Sequence, residues 1–434
     1  KKTHLSQMKQ LNFEPIDLVI VNFYPFNETV NNLKRERKII ENIDIGGPSI
    51  VRGAAKNYED VAIISDKNDY SELIKELKKN KGKTSLSFRE KMAGKAFNLT
   101  AYYDATIADW FNKKLNIKFP PKKTFYGKKI EQLRYGENPH QAGSIYLNEG
   151  EPKGLGLKKL SGKDLSYNNY NDIFASLDIL FSLNKKPTTV IVKHANPCGV
   201  SSNNKPFLSF KYAQASDPIS AFGGIVACNY KINNSLAVEI SKTFFEVILA
   251  KGFDTKALKI LKKKKNMRII DISSYKKNNA LFTKFFDKSF LLQEKDTYLY
   301  DKKKLKFVTK MKPTKGEMRD LEFAFNVCKY VKSNAIVIVK DQSTIGIGAG
   351  QQNRLDSSKI AAQKAKSFNP KELINSAAAS DAFFPFADGI KTLIKAGVKL
   401  IIQPGGSLRD KEVIQAANKA NVKMVFTGTR HFNH

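Results

Sequence analysis

Short runs of β-branched and apolar residues recur along the chain, separated by stretches whose apolar positions fall three and four apart. The runs Asp17 to Val21, Val61 to Ser65, Val190 to Lys193, Ile225 to Cys228, Ala335 to Lys340, Val398 to Gln403 and Val422 to Thr427 predict strands. Helical spacing covers Tyr70 to Lys79, Phe88 to Asn112, Asn353 to Ser367 and Lys411 to Ala420. Alternation of the two periods predicts an α/β chain on parallel or mixed sheets. The prolines of Phe119-Pro120-Pro121-Lys122-Lys123 break the pattern after a long helix. We therefore expect one domain over 1–118, a linker at 119–123, and a second domain over 124–434 long enough for two subdomains. No repeat of roughly 20–50 residues is visible, which excludes a solenoid. Apolar stretches such as Leu18 to Val21 fall far short of the roughly 18 residues that span a bilayer, so no membrane partner is expected.

Composition changes this picture only through its charge. The chain has 434 residues, 41% hydrophobic and 26% charged, the ordinary mix of a folded protein, yet 74 Lys and Arg face 41 Asp and Glu, a net +33. Such a surplus raises nucleic-acid binding as the alternative function. Against it, 64 of the cations are Lys and only 10 are Arg, and no stretch interleaves aromatic and basic residues. The runs Lys262 to Lys265, Lys276-Lys277 and Lys302 to Lys304 are read as solvated surface, with no specific nucleic acid as partner. The field still favours capture of phosphorylated or polyglutamylated substrates. Cys198, Cys228 and Cys328 form no CxxC pair and are odd in number, which predicts neither disulfides nor a structural zinc, and a cytoplasmic location. Without an initiator Met or a signal segment, the chain is expected to begin inside a longer gene product.

Three strings could carry chemistry. Glu41 to Asn57 contains Asp44-Ile45-Gly46-Gly47-Pro48 and ends in Lys56-Asn57; a tight turn into a helix start makes either an anion site or a loop whose glycines are steric. Upstream, Asn22 and Tyr24 follow a strand directly, where open α/β sheets place ligand loops. Leu133 to Gln141 is dense in polar groups and holds Arg134, a natural clamp for phosphate or carboxylate, beside Tyr135; His140 there is read as a structural hydrogen-bonder. In Val190 to Gly199 a buried-type strand ends at Lys193-His194 and turns at Asn196-Pro197. An ammonium keeps an adjacent imidazole neutral, which suits a general base acting while an oxyanion develops nearby. Cys198 is read as a small buried thiol. Ile345 to Arg354 is glycine-rich but lacks the GK[ST] of a P-loop and the GxGxxG spacing, and Arg354 at the following helix start is the anion-directed group. No metal is indicated: His431 and His434 have HxxH spacing with no carboxylate cluster and are read as exposed.

The strings NFYPF, ENIDIGGPSIVRGAAKN, LRYGENPHQ, VIVKHANPCG, SDPISAFGG, SNAIVIV, GIGAGQQNR, SDAFFPFADG and TGTRHFNH run the length of the chain. In this order they resemble the bifunctional purine-biosynthesis family, AICAR transformylase / IMP cyclohydrolase. The resemblance implies a partial methylglyoxal-synthase-like cyclohydrolase domain, then a transformylase domain of two cytidine-deaminase-like subdomains without zinc. It implies formyl transfer from 10-formyltetrahydrofolate, as cosubstrate, to the 5-amino group of AICAR, in a homodimer. His194 would be the proton acceptor and Lys193 would stabilise the transition state. AICAR would meet Arg134, Tyr135, the Gly223 amide, Glu246, Asn334, Arg354, Phe383 and Arg430; folate would lie near Leu355, Asp388, Ser407 and Leu408. For the cyclohydrolase the resemblance implies Lys56 as acid/base and a nucleotide pocket of Asn22, Tyr24, Asp44 and Ile45. The family's N-terminal phosphate loop is absent before Lys1, so ring closure to IMP is expected to be impaired.

Overall fold

The computed structural model describes residues 2–33, 35–147, 154–183, 186–278 and 281–434. The chain divides into two compact units, Lys1–Gln132 with Ile145–Leu155, and Leu133–Ser144 with Gly156–His434.

The first unit holds α1 (Lys2–Gln10), β1 (Leu18–Ile20), α2 (Phe26–Asn32), α3 (Glu36–Glu41), α4 (Gly46–Lys56), β2 (Ala62–Ile64), α5 (Tyr70–Lys79) and α6 (Leu86–Lys114). The strands pair in parallel, Leu18 opposite Ala62 and Ile20 opposite Ile64. Val51 and Ala55 of α4 and Phe88, Met92 and Ala96 of α6 close over Ile63 and Ile64 in one core. A smaller aromatic core gathers Phe26, Ile39 and Tyr103. Ser85 caps α6 through the Phe88 amide, and Gly94 lies exposed within that helix. Strands β3 (Lys128–Leu133) and β4 (Gly143–Leu147) form a separate two-stranded sheet.

The second unit is built on one twelve-stranded sheet whose two halves follow the same plan. In chain order the first half runs β5 (Lys158–Ser161), α7 (Tyr167–Ser182), β6 (Thr188–Lys193), β7 (Asn196–Ser202), α8 (Pro206–Ser216), α9 (Pro218–Ala221), β8 (Ile225–Cys228), α10 (Asn234–Ser241), β9 (Val247–Ala250), α11 (Thr255–Leu261) and β10 (Arg268–Asp271). After the hairpin of β11 (Phe282–Phe286) and β12 (Ser289–Gln293) the second half runs β13 (Lys306–Phe307), α12 (Lys315–Cys328), β14 (Ile336–Lys340), β15 (Ser343–Gly348), α13 (Arg354–Phe368), α14 (Pro370–Leu373), β16 (Ser376–Ser380), α15 (Asp388–Ala396), β17 (Val398–Gln403), α16 (Asp410–Lys419) and β18 (Lys423–Phe426). Spatial order is β13-β18-β17-β16-β14-β15-β7-β6-β8-β9-β10-β5, mirror-ordered about the β15–β7 seam. In each half a helix leads into an antiparallel hairpin, and parallel strands extend the sheet outward.

Both faces of this sheet are covered, so its strands read as unbroken apolar runs. Val190 and Val192 of β6 and Val337 and Val339 of β14 pack under α7 and α12 in one core that crosses both halves. Their alternates face the other side, Ile191 toward α8, α10 and α11 and Ile336 and Ile338 toward α13, α15 and α16. The seam is polar instead: Ser201 opposes Ser343, their hydroxyls 2.7 Å apart, and the Val200 amide donates to Thr344 Oγ1 at 2.9 Å. Burial of these hydroxyls is tolerated because each has a partner. Of the lysine runs, Lys262 to Lys265 and Lys302 to Lys304 are exposed as expected, whereas Lys277 packs over the Tyr330 ring and pairs with Asp178. No described helix is long and apolar enough to cross a membrane.

Helix approach in both halves depends on a strand glycine. A Cβ on Gly199 would stand 1.8 Å from Ala213 O of α8, and one on Gly346 2.2 Å from Ala361 O of α13. Gly199→Ala and Gly346→Ala are each expected to cost about 1–3 kcal/mol by forcing helix and strand apart. Gly94→Ala, with open space at its Cβ, gains up to about 1 kcal/mol from helix propensity. Denaturant and thermal unfolding of the three variants checks the signs.

Candidate functional site

The strand directions of the second unit bring the sequence strings to one edge of the sheet. Carboxyl ends of β6, β15, β16, β17 and β18 and amino ends of β7, β8, β9 and β14 share that edge. It therefore carries Lys193 and His194, Gly223, Glu246, Asn334, Phe383, Ser407, Leu408 and Arg430 on successive loops.

The β6–β7 hairpin turns through His194 and Ala195, both left-handed at φ 54° and 55°. Such two-residue turns favour Asn-Gly, because side chains other than Gly, Asn and Asp are strained there. The Asp172 carboxylate on α7 accepts both turn amides, Ala195 N–H at 2.7 Å and His194 N–H at 3.2 Å. Burial raises the Asp172 carboxyl above its ordinary range, against those amides and the nearby His194, which favour its charged form. His194 is exposed and its imidazole hydrogen-bonds to none of the described residues; the Lys193 ammonium donates to Phe222 O at 3.0 Å.

The same helix reaches two other predicted groups through its first turn. Asn168 Nδ2 donates to Glu137 O of the Arg134 loop at 3.1 Å, and Asn169 Nδ2 donates to Glu246 Oε2 at 2.8 Å. Arg268 stands 3.6 Å from that carboxylate. Arg134 is exposed with its guanidinium over the Tyr135 ring. The Gly223 amide, expected to meet the nucleotide, already donates to Phe244 O at 2.8 Å and is not a free donor. Asn169 and Asp172 were missed in the sequence; the polar string Ser166-Tyr167-Asn168-Asn169-Tyr170-Asn171-Asp172, opening a helix with a Ser166–Asn169 capping box, was the available signal.

A second cluster is buried behind the edge. Arg354 is 7% exposed, and its guanidinium donates to Ser380 Oγ at 2.7 Å and Asp381 Oδ1 at 2.6 Å. Arg354, read as the anion-directed group of this helix start, lies inside the fold, where its guanidinium is matched by a carboxylate. Ser333 donates to the other Asp381 oxygen at 2.5 Å, and the Asp381 carbonyl accepts from the His431 amide. His431 is 1% exposed, correcting the expectation of an exposed terminal histidine; its ring contacts Asp296 at 2.6 Å and Leu299 O at 2.7 Å because the closing segment folds back onto Ser333 and Tyr330. Asn334 Nδ2 donates to Gln351 O, and the Lys332 amide donates to Asn196 Oδ1 at 3.0 Å, tying this cluster to the His194 hairpin. Phe383, Asp388, Leu408 and Arg430 are exposed, Leu408 fully; Leu355 and Ser407 are half-buried. Arg430 lies over the Phe432 ring. Burial pushes the Cys198 thiol up to about 12, which leaves no thiolate nucleophile near the hairpin. A cavity of about 450 Å³ lies at the opposite edge, around Asp341 and Gln342; the His194 edge is solvent-exposed. Among the described residues no three His, Cys, Asp or Glu side chains are grouped to hold a metal.

In the first unit Asp44 organises the loop before α4. Its carboxylate accepts from the Gly47 amide at 2.8 Å and the Tyr24 amide at 3.3 Å, while the Asp44 amide donates to the Tyr103 hydroxyl at 2.8 Å. The anion at this helix start is thus the chain's own, and a Cβ on Gly47 would meet Asp44 Oδ2 at 2.5 Å. Burial, with the Asp44 charge adding to it, raises the Tyr103 phenol. Asn22 Nδ2 donates to the Tyr70 hydroxyl, Ile45 is 74% exposed, and Lys56 ends α4 in solvent.

The chain matches the family described as AICARFT/IMPCHase bienzyme over residues 54–364. It is 46% identical to the bifunctional purine biosynthesis protein PurH of Bradyrhizobium diazoefficiens, over 100% of this chain and 84% of that protein. Identity to the protein of the same name from Persephonella marina is 46%, over 99% of this chain and 84% of that one. The crystal structure of ForH shares 33% identity over 26% of this chain and 58% of its own, with a TM-score of 0.22, which carries no fold argument. On the family match and these full-length identities, the chain belongs to the AICARFT/IMPCHase bienzyme family.

Proposed function

We propose that the exposed edge of the second unit carries formyl transfer and the Asp44 loop of the first unit carries ring closure. Membership of the family makes the chain a bifunctional purine-biosynthesis enzyme, AICAR formyltransferase and IMP cyclohydrolase. The finer reading assigns 124–434 to the transformylase, as two cytidine-deaminase-like halves. It assigns 1–118 to the later part of a methylglyoxal-synthase-like cyclohydrolase domain, with 119–123 between them. The repeated plan of the twelve-stranded sheet supports the two halves.

The observation that carries the transferase reading is the strained turn that puts His194 in solvent beside Lys193, with a carboxylate behind it. The AICAR 5-amino nitrogen, a weak nucleophile, attacks the formyl carbon of 10-formyltetrahydrofolate. His194 takes the amine proton as the new C–N bond forms, and Lys193 stabilises the developing oxyanion. Collapse breaks the bond from the formyl carbon to the folate N10, which leaves with a proton, giving formyl-AICAR and tetrahydrofolate. Arg134, Tyr135, Glu246, Asn334, Phe383 and Arg430 would hold the nucleotide, with Gly223 supplying close backbone approach in place of a free amide. Arg354, paired with Asp381, would join them in holding the nucleotide. Folate would lie along Leu355, Asp388, Ser407 and Leu408. The proposal extends to a homodimer, for which sedimentation is the test.

For ring closure, Asn22, Tyr24, Asp44 and Ile45 would hold the carboxamide nitrogen against the formyl carbon, and Lys56 would move the proton. The step is intramolecular, so holding supplies much of the rate.

His194→Ala is expected to lower tetrahydrofolate release by about 10²–10⁴-fold. Its AICAR dissociation constant should stay within about tenfold, roughly 1.4 kcal/mol. Transfer that survives at the wild-type rate removes His194 from the role. Lys56→Ala is expected to slow conversion of formyl-AICAR to IMP by about 10²-fold or more while leaving formyl transfer within about twofold, read by following both products in one assay.

A further inference from the structure

The two halves of the second unit contain the same device twice. Asp172 is the sixth residue of α7 and Asp320 the sixth residue of α12, behind the capping boxes at Ser166 and Thr314. Each carboxylate reaches the tip of the following hairpin. Asp320 accepts from the Asp341 amide at 3.0 Å and the Gln342 amide at 2.9 Å, and those two residues are left-handed at φ 49° and 55°. The strands leading into the tips carry the same four residues, Val190 to Lys193 and Val337 to Lys340. The tips differ, His194-Ala195 in one and Asp341-Gln342 in the other. Fold symmetry thus supplies an internal control: the same carboxylate clamp with and without a histidine on its turn.

We propose that Asp172 is a positioning residue for formyl transfer: its fixed carboxylate holds the His194–Ala195 turn in the backbone conformation that presents the imidazole at the sheet edge. The inference rests on reading His194 as the proton acceptor. A carboxylate offers two acceptor oxygens at the spacing of two adjacent amides in such a turn, and charge-assisted bonds to them offset left-handed strain. Asparagine keeps one acceptor and turns an NH₂ group toward the second amide, so Asp172→Asn loosens the turn with little change in volume. Asp172 hydrogen-bonds to neither the Lys193 ammonium nor the imidazole; it reaches His194 through the turn amides and through the charge it places near the ring.

The test compares Asp172→Asn, Asp320→Asn and His194→Ala in the full chain, each scored for melting temperature, kcat and KM for AICAR. Asp172→Asn is expected to lower kcat by about 10²-fold, the scale of an ångström-level misplacement, with KM within about twofold. Asp320→Asn should lower the melting temperature comparably and leave kcat within about twofold. Adding Ala195→Gly to Asp172→Asn should restore part of kcat, because glycine takes the left-handed conformation without strain; this double variant is also the one assayed should Asp172→Asn not fold. The inference is overturned if Asp172→Asn keeps wild-type kcat while His194→Ala is inactive, if Asp320→Asn loses kcat as severely as Asp172→Asn, or if glycine at 195 restores melting temperature but no turnover. An active His194→Ala overturns the underlying functional reading instead, which separates the two failures.

Discussion

Left-handed backbone at two consecutive residues that both carry side chains costs on the order of 1 kcal/mol or more at each, and a hairpin tip left to itself would place Asn and Gly there. The chain places His194 and Ala195, and the conformation persists because Asp172 accepts both amides. The geometry of the proposed transfer site follows from that exchange. Lys193 closes the ladder opposite Asn196, and Asn196 in turn accepts from the Lys332 amide of the other half. A single carboxylate behind the sheet edge therefore sets the register of residues contributed by both halves.

Symmetry explains why this works without a large apolar wall at the site. The β15–β7 seam joins the halves through paired hydroxyls, and α7 and α12 lie over one core that crosses it. Apolar packing fixes where the helices sit, and their first two turns then present polar side chains: Asn168, Asn169 and Asp172 on α7, Glu317 and Asp320 on α12. Rigid elements hold the groups, and loops carry only the chemistry, which is the arrangement that keeps a site preorganised.

How much of this was legible follows from which force shaped each segment. Ile225–Cys228 and Val398–Gln403 lie at their expected bounds because strands covered on both faces are continuously apolar. The helix at Tyr70–Lys79 likewise shows its period. Strand β7 was not expected, because Pro197, Ser201 and Ser202 look like turn chemistry; in the fold Ser201 pairs with Ser343 across the buried seam and Ser202 with Thr188 of β6. The duplication escaped a search for short periods, although VIVK at 190–193 and again at 337–340 marks it. Arg354 and His431 were legible as polar residues but not as buried ones, since their partners Asp381 and Asp296 lie far away in sequence. Gly46-Gly47 left an anion site and a loop of steric glycines both open, and the fold shows the Asp44 carboxylate accepting from the Gly47 amide at the helix start.

The scarcity of arginine in so basic a chain also has a physical pattern. Among the 10 Arg, three hold a planar fork against several acceptors. Arg89 donates to the carbonyls of Tyr58, Glu59 and Thr84 at 2.5–2.8 Å, closing the loops around α6. Arg354 bridges Ser380 and Asp381, and Arg268 spans the Asp164 carbonyl and the Glu246 carboxylate. An ammonium, a compact point charge without the planar fork, could not reproduce those forks at these joints. The net charge is therefore a property of the solvated surface, and the site's geometry depends on the few cations that could not be exchanged.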